Sequence, residues 1–247
     1  MIPPRWTELT AVFGGVFDPP HMGHREAVRG LFQDPGVKRV LVVPAPSPAY
    51  KLNQVSAEHR VEMVRRTFAS NPDNTFPNDV EISFVDIERA LRNPKSHTYT
   101  FDTLQELGRV HENLAFVLGA DQLQNLPNWH RFPEVLELAH WIVLTRRPNG
   151  LDSAMRALRE LESRGIARKM PGTADDLGGV WQLRAGKRFL RLSHTEAPEI
   201  SSTGIRETIS RTGQPPSGSL VPEAMAYLKQ NRLYGSNANE NSEGLSR

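Results

Sequence analysis

The chain has 247 residues, 38% of them hydrophobic and 23% charged, with 30 Lys and Arg against 28 Asp and Glu and no cysteine. That length can bury a sizeable core, in one large domain or two small ones, without cross-links, and the lack of cysteine excludes disulfide scaffolds, thiolate metal sites and cysteine nucleophiles. A formal charge of +2 is too even for a nucleic-acid partner, which calls for a concentrated basic excess.

No apolar run is long enough to span a bilayer or to open the chain as a leader, so no membrane partner is expected and the default compartment is cytoplasmic. In chain order, Ala11 to Phe13, Val40 to Val43, Leu114 to Leu118 and Trp141 to Leu144 are brief, partly β-branched and without polar alternation, the pattern of buried strands. Val80, Ile82 and Phe84 alternate with polar residues and predict a half-exposed strand. Between these runs, Ala27, Val28, Leu31 and Phe32 form one helical stripe, Val61, Val64 and Phe68 a second, and Phe101, Leu104 and Leu107 a third. Such alternation predicts right-handed βαβ crossovers and an α/β, doubly wound, mainly parallel sheet. Ligands of these sheets sit outside the carboxyl ends of the strands, which places the chemistry in the loops after Phe13, Val43, Leu118 and Leu144.

Further on, Met155, Leu158 and Leu161 share one face of a helix over Ala154 to Leu161. Gly165 to Gly179 reads as loop, and Val180 to Leu183 with Phe189 to Leu192 as a late strand pair. Pro222 starts a final helix through Val221, Met225 and Leu228 that closes at Gly235, a helical C-terminal part. Residues 1–235 are read as a single domain and 236–247, rich in Asn, Ser and Glu, as a disordered tail. From Asn149 to Glu199 no motif is placed.

The most informative stretch follows the first strand: Gly14-Gly15-Val16-Phe17-Asp18-Pro19-Pro20-His21-Met22-Gly23-His24. Gly14 and Gly15 let backbone amides approach a phosphate where a Cβ would obstruct. Pro19 and Pro20 stiffen the loop and lead into a helix at about His21. His21 and His24, three apart, then share a face near the helix N-terminus, where the dipole and N–H groups favour anions, and Gly23 leaves room for a ligand. This builds a pocket for a nucleoside polyphosphate with two imidazoles at its bridging region. The phosphate loops Gly-x-x-x-x-Gly-Lys-Ser/Thr and Gly-x-Gly-x-x-Gly are missing from the sequence. The competing readings are a plain turn before a helix with surface histidines, and a metal site with Asp18 as third ligand; Asp18 can also simply orient the loop.

In its Gly-Gly-x-Phe-Asp-Pro-x-His-x-Gly-His form, this stretch resembles the His-x-Gly-His signature of the nucleotidyltransferase superfamily. Within that superfamily it is similar to the bacterial nicotinate-nucleotide adenylyltransferases, which join nicotinate mononucleotide to AMP from ATP. Ile200-Ser201-Ser202-Thr203-Gly204-Ile205-Arg206 resembles the second signature, Ser-Ser/Thr-x-x-Arg, in which hydroxyls, amides and Arg206 would hold the β- and γ-phosphates; taken alone it is equally an ordinary cap. Val43 to Lys51 resembles the family's proline-rich loop, with Tyr50 in place of a histidine and Lys51 kept. Lys51 could reach a phosphate or be a surface lysine.

Thr98-Tyr99-Thr100-Phe101-Asp102-Thr103 resembles Ser-Tyr-Thr-x-x-Thr, which implies that backbone at Thr100 recognises the nicotinate carboxylate; a helix cap is compatible with the same residues. Gly119-Ala120-Asp121 resembles Gly-x-Asp, with Asp121 placed to accept from ribose hydroxyls. Leu126-Pro127-Asn128-Trp129-His130 is similar to Leu-Pro-x-Trp-Tyr, with Trp129 stacking on the pyridine ring and His130 where tyrosine is usual.

The resemblance implies a Rossmann-like nucleotidyltransferase fold and the attack of nicotinate mononucleotide on ATP with loss of pyrophosphate. It assigns His21, His24, Lys51 and Arg206 to catalysis, and Gly14, Gly15, Phe17, Gly119, Asp121, Ser202 and Thr203 to ATP. Thr100 and Trp129 are assigned to nicotinate mononucleotide. Mg²⁺ would arrive with ATP, with no dedicated protein metal site. Two alternatives stand: the same scaffold acting on nicotinamide mononucleotide or another phosphorylated acceptor, and a non-catalytic nucleotide-binding protein.

Overall fold

Strands β1 (Leu9–Gly15), β2 (Val37–Pro44), β4 (Leu114–Gly119) and β5 (His140–Thr145) grow from the four apolar runs, whose residues have no polar face to turn to water. With β3 (Asp79–Ile82), β6 (Ala167–Lys169), β7 (Val180–Leu183) and β8 (Phe189–His194) they form one eight-stranded sheet, ordered β3-β2-β1-β4-β5-β8-β7-β6. The computed structural model describes residues 6–46, 55–68, 76, 79–94, 97–145, 150–173, 179–184, 186–195, 198 and 200–236. β3, β2, β1, β4, β5 and β8 pair parallel throughout; at the far edge β7 runs antiparallel to β8, and β6 antiparallel to β7. Phe13 sits in register with Val42 on one side and Val117 on the other.

Alternation along each strand feeds two cores. Ala11, Phe13, Val42 and Val117 face α1 (Met22–Leu31) and α2 (Ala57–Phe68) through Ala27, Val28, Leu31, Val64 and Phe68. Val12, Leu41, Phe116 and Val143 face α4 (Thr100–Leu107), α5 (Ala120–Asn125) and α6 (Gly150–Ser163) through Leu104, Leu107, Leu123, Leu158 and Leu161. Each Leu, Val or Phe so buried contributes roughly 1.5–3 kcal/mol. A third, smaller core ties α7 (Ser202–Thr212) and α8 (Pro222–Gln230) to α2, through Ile205, Ile209, Leu228 and Met63. Among the described residues no helix is long and apolar enough to cross a membrane.

Three readings of the sequence change. The expected loop from Gly165 holds β6, a three-residue edge strand whose exposed Arg168 and Lys169 conceal it from any apolar pattern. Phe84, expected to extend the half-exposed strand, instead precedes the short helix α3 (Val85–Arg92), and β3 ends at Ile82. The final helix stops at Gln230, and a separate 3-10 turn, Leu233–Gly235, follows, with Arg232 and Tyr234 in the left-handed region (φ 50° and 59°). Ser236, the first residue assigned to the tail, is buried, and its hydroxyl bonds the Leu228 carbonyl at 3.2 Å; 237–247 lie outside the described residues.

The order β3-β2-β1-β4-β5 reverses direction between β1 and β4. The helix after β1 covers one face and the helix after β4 the other. Their carboxyl ends therefore part around a crevice, the place where such sheets take ligands.

Candidate active site

β1 delivers Gly14 and Gly15 to the edge of that crevice. A Cβ on Gly14 would meet only the Phe116 ring, at 3.9 Å, whereas one on Gly15 would sit 2.9–3.2 Å from the ring of Phe17. Gly15 is thus required by protein packing. Phe17, at φ 52°, is buried and lies edge-on to Phe68 and His24, with ring centroids 6.0 and 5.0 Å away. Its side chain is a support beneath the histidines.

His21 and His24 do not share a helical face. His21 is the extended residue before α1 (φ −146°, ψ 171°) and is only 3% exposed, while His24 lies inside the first turn. They meet by stacking instead, ring centroids 3.7 Å and planes 27° apart. The Nδ1 of His24 accepts the backbone N–H of His21 at 3.2 Å, so the proton of the neutral ring resides on Nε2, which makes that nitrogen a donor. A Cβ on Gly23 would come within 3.0 Å of the His21 ring. The space left by that glycine holds an imidazole, contrary to the expectation that it makes room for a ligand.

The second signature packs directly on the first loop. The cap of α7 is Ser201, whose Oγ accepts from the Gly204 amide at 3.1 Å. Ser202 donates its hydroxyl to the Pro19 carbonyl (2.9 Å), and Arg206 donates Nη1 to the Asp18 carbonyl (2.6 Å) and Nη2 to Thr203 Oγ1 (3.3 Å). Asp18, 2% exposed, accepts the Tyr234 hydroxyl on Oδ1 at 2.6 Å and holds Oδ2 3.7 Å from Arg206 Nη1. Burial first, and then the Asp18 bond and charge, push the Tyr234 hydroxyl well above the usual phenol range. Fully buried Arg60 donates Nη1 to the carbonyls of Val16 and Ala45, 2.7 Å each, tying the first loop to the loop after β2. Burial lowers its pKa, and Asp18 opposes that shift. Asp18 is therefore a structural anchor of the loop. Among the described residues no group of three or more His, Asp or Glu could ligate a metal ion. Lys51 and Tyr50 lie outside the described residues.

Across the crevice, β4 ends at Gly119, and exposed Asp121 stands in the first turn of α5. A Cβ on Gly119 would collide with the Asp121 carboxylate, so glycine lets that acid fold back over the strand end. Trp129 is half-buried, edge-on to Phe116 (5.9 Å, 87°) and tilted to Trp141 (6.1 Å, 58°). One side of its indole is therefore core. Thr100 opens α4, whose preceding residue, Tyr99, supplies no side-chain cap. That helix start is braced from behind: Thr103 donates its hydroxyl to Asp86 at 2.6 Å, and Arg89 bonds the same carboxylate at 3.0 Å. Burial raises the Asp86 pKa, against the lowering effect of both bonds.

Residues 12–208 match the cytidylyltransferase-like family. A protein of Sodalis glossinidius named probable nicotinate-nucleotide adenylyltransferase is 33% identical over 230 residues, 92% of this chain and 97% of that one. The chain belongs to the nicotinate-nucleotide adenylyltransferase family of nucleotidyltransferases. A second relative of the same name, from Symbiobacterium thermophilum, is 31% identical over 229 residues, 91% of this chain and 94% of its own. The solved nicotinic acid mononucleotide adenylyltransferase of Plasmodium falciparum, complexed with NaAD, superposes with a TM-score of 0.65 at 16% identity, covering 94% of this chain and all of that one. At that identity the superposition speaks for the fold.

The described structure thus brings His21, His24, Ser202, Thr203 and Arg206 to one loop and helix pair, and sets Gly14 and Asp121 at neighbouring strand ends. Sequence reasoning missed Arg60 and Tyr234, which hold the loop that carries the histidines. Neither has a motif; each is an ordinary helix or turn residue until the chain is folded.

Proposed function

We propose that this nucleotidyltransferase moves the adenylyl group of ATP onto nicotinate mononucleotide, giving nicotinate adenine dinucleotide and pyrophosphate in NAD biosynthesis. The observation that carries the reading is the docking of Ser202 and Arg206 on the Pro19 and Asp18 carbonyls, which makes one site of two signatures far apart in sequence. The phosphate of the acceptor attacks the α-phosphorus; its oxygen forms the new P–O bond, and the bond to the α,β-bridging oxygen breaks, pyrophosphate leaving with the electron pair. A phosphate dianion is already nucleophilic, so no general base and no covalent intermediate are needed. The protein supplies in-line positioning and donors for charge on the transferred and leaving groups.

His24 Nε2–H and the His21 ring serve the α- and β-phosphates. Arg206 has five N–H donors and gives the first loop and Thr203 one bond from each Nη, so it keeps capacity for the leaving pyrophosphate. The Ser202 hydroxyl proton is committed to Pro19, and its contribution with Thr203 is backbone N–H at the start of α7. Gly14, Gly15 and Phe17 add backbone, Asp121 holds a ribose, and Lys51 approaches the phosphates. The amino end of α4 at Thr100 takes the carboxylate, and the exposed side of Trp129 takes the ring. Mg²⁺ arriving with ATP would neutralise polyphosphate charge; the one carboxylate of the first loop, Asp18, is buried, with Oδ1 bonded to Tyr234 and Oδ2 3.7 Å from Arg206, and serves the loop. A cytoplasmic location goes with this substrate set.

His24→Ala tests the reading. It removes one donor to developing charge, worth about a hundredfold or more in kcat, while the fold persists because His24 is only half-buried. Pyrophosphate release from ATP and nicotinate mononucleotide at near wild-type rate in this variant would sink the assignment.

A further inference from the structure

The two residues that follow Trp129 grip the two residues that flank Thr100. His130 stacks on Tyr99, ring centroids 4.1 Å and planes 20° apart. Arg131 lays its guanidinium 3.9 Å from the centroid of the Phe101 ring, and Glu134 orients that guanidinium through a 2.8 Å bond to Nε. Thr100 is straddled, with one contact on each side. The two segments come from different connections, one ahead of α4 and one beyond α5, and these ring contacts join them.

Two further observations separate this arrangement from ordinary packing. Tyr99 is 39% exposed and His130 is exposed, so their stack shields little apolar surface and adds little to the core. Arg131 takes φ 56°, a left-handed conformation that a non-glycine residue adopts at a cost. That backbone turn accompanies its side chain's position over Phe101.

We propose that this two-point clasp sets the amino end of α4 against Trp129, so that the carboxylate and the ring of the pyridine nucleotide are read as one rigid unit. His130 and Arg131 are positioning residues for the acceptor. The proposal rests on the acceptor assignment above and adds what fixes the distance between its two halves. It also gives His130 a role where the family pattern carries tyrosine: any flat ring at this position can stack on Tyr99. Arg131 is less replaceable, because a guanidinium stacks through its plane and an ammonium has none.

The test uses the full chain in steady-state assays with ATP, Mg²⁺ and either nicotinate or nicotinamide mononucleotide. His130→Ala and Arg131→Lys should each raise KM for nicotinate mononucleotide roughly three- to tenfold, the fold-change that loss of one ring or cation–π contact gives. Preference for the acid over the amide should fall by a similar factor, with KM for ATP essentially unchanged. His130→Phe should restore the wild-type KM. The melting temperature of His130→Ala should stay near that of wild type, since the residue is exposed. Unchanged acceptor KM in both variants, an equal rise in KM for ATP, or failure of His130→Phe to restore KM would each overturn the clasp alone. A wild-type chain with no turnover of nicotinate mononucleotide would overturn the acceptor assignment, and the clasp with it.

Discussion

Tyr234→Phe removes one oxygen atom and leaves the ring in place. In the native chain that hydroxyl is 2.6 Å from Asp18 Oδ1, and Asp18 is only 2% exposed, so no solvent stands ready to replace the lost donor. A bond to a charged acceptor contributes about 1.5–3 kcal/mol. At roughly 2–4 °C per kcal/mol for a chain of this size, the variant should melt about 5 °C below wild type. The effect on turnover has a separate origin. Deprived of Tyr234, the carboxylate leans more heavily on Arg206 Nη1, 3.7 Å from Oδ2, and draws the guanidinium away from the leaving group. We expect kcat to fall on the order of tenfold, about 1.4 kcal/mol in the transition state, with KM for the acceptor unchanged. A pH signature accompanies both. Because the Tyr234 hydroxyl titrates above its ordinary value of 10.0, its contribution to stability is complete below that pH and is lost as pH rises beyond it. Wild type should therefore lose stability more steeply than Tyr234→Phe above about pH 10. Thermal melts across pH and steady-state kinetics read all three quantities. A melting temperature within about 1 °C of wild type together with unaltered kcat would refute the view that Tyr234 anchors the first loop.

The two glycines at the end of β1 should separate cleanly. Gly15→Ala forces its Cβ against the Phe17 ring and should cost about 1–3 kcal/mol by denaturant unfolding, while Gly14→Ala, with its nearest atom at 3.9 Å, should cost under about 0.5 kcal/mol. Equal costs would show that the ring of Phe17 does not set the requirement. For Asp86, whose folded pKa is raised by burial above its ordinary 3.8, stability is highest below that pH and declines as pH rises through the raised value. Asp86→Asn keeps an acceptor for the Thr103 hydroxyl and removes the titrating group, so acid-range melts should lose this decline; an identical profile in both proteins would contradict it.

The strands were legible because a buried parallel strand has little choice of composition. Val40 to Val43 and Trp141 to Leu144 have few alternatives to burial in a sheet core, and both are strands. The edge was not: β6 is three residues with two exposed charges, a segment whose pairing is decided by its neighbour β7 and not by its own pattern. At the site, the order of residues identified which groups belong together, and their geometry needed the fold. Spacing placed His21 and His24 on one helical turn, but His21 adopts an extended backbone before the helix and reaches His24 by stacking. Gly23 likewise reads as space for a ligand until the His21 ring is seen to fill it. Tyr234 and Arg60 carry no local signal, because their partners, Asp18, Val16 and Ala45, lie across the chain.

The choice of acceptor can be read directly by a paired assay, without any variant. The purified chain is given ATP and Mg²⁺ with nicotinate mononucleotide in one arm and nicotinamide mononucleotide in the other, and dinucleotide and pyrophosphate are measured together. Equimolar nicotinate adenine dinucleotide and pyrophosphate, formed faster than the amide product, is the predicted result. ATP binding with no dinucleotide from the nicotinate arm, or faster turnover of the amide, would contradict it.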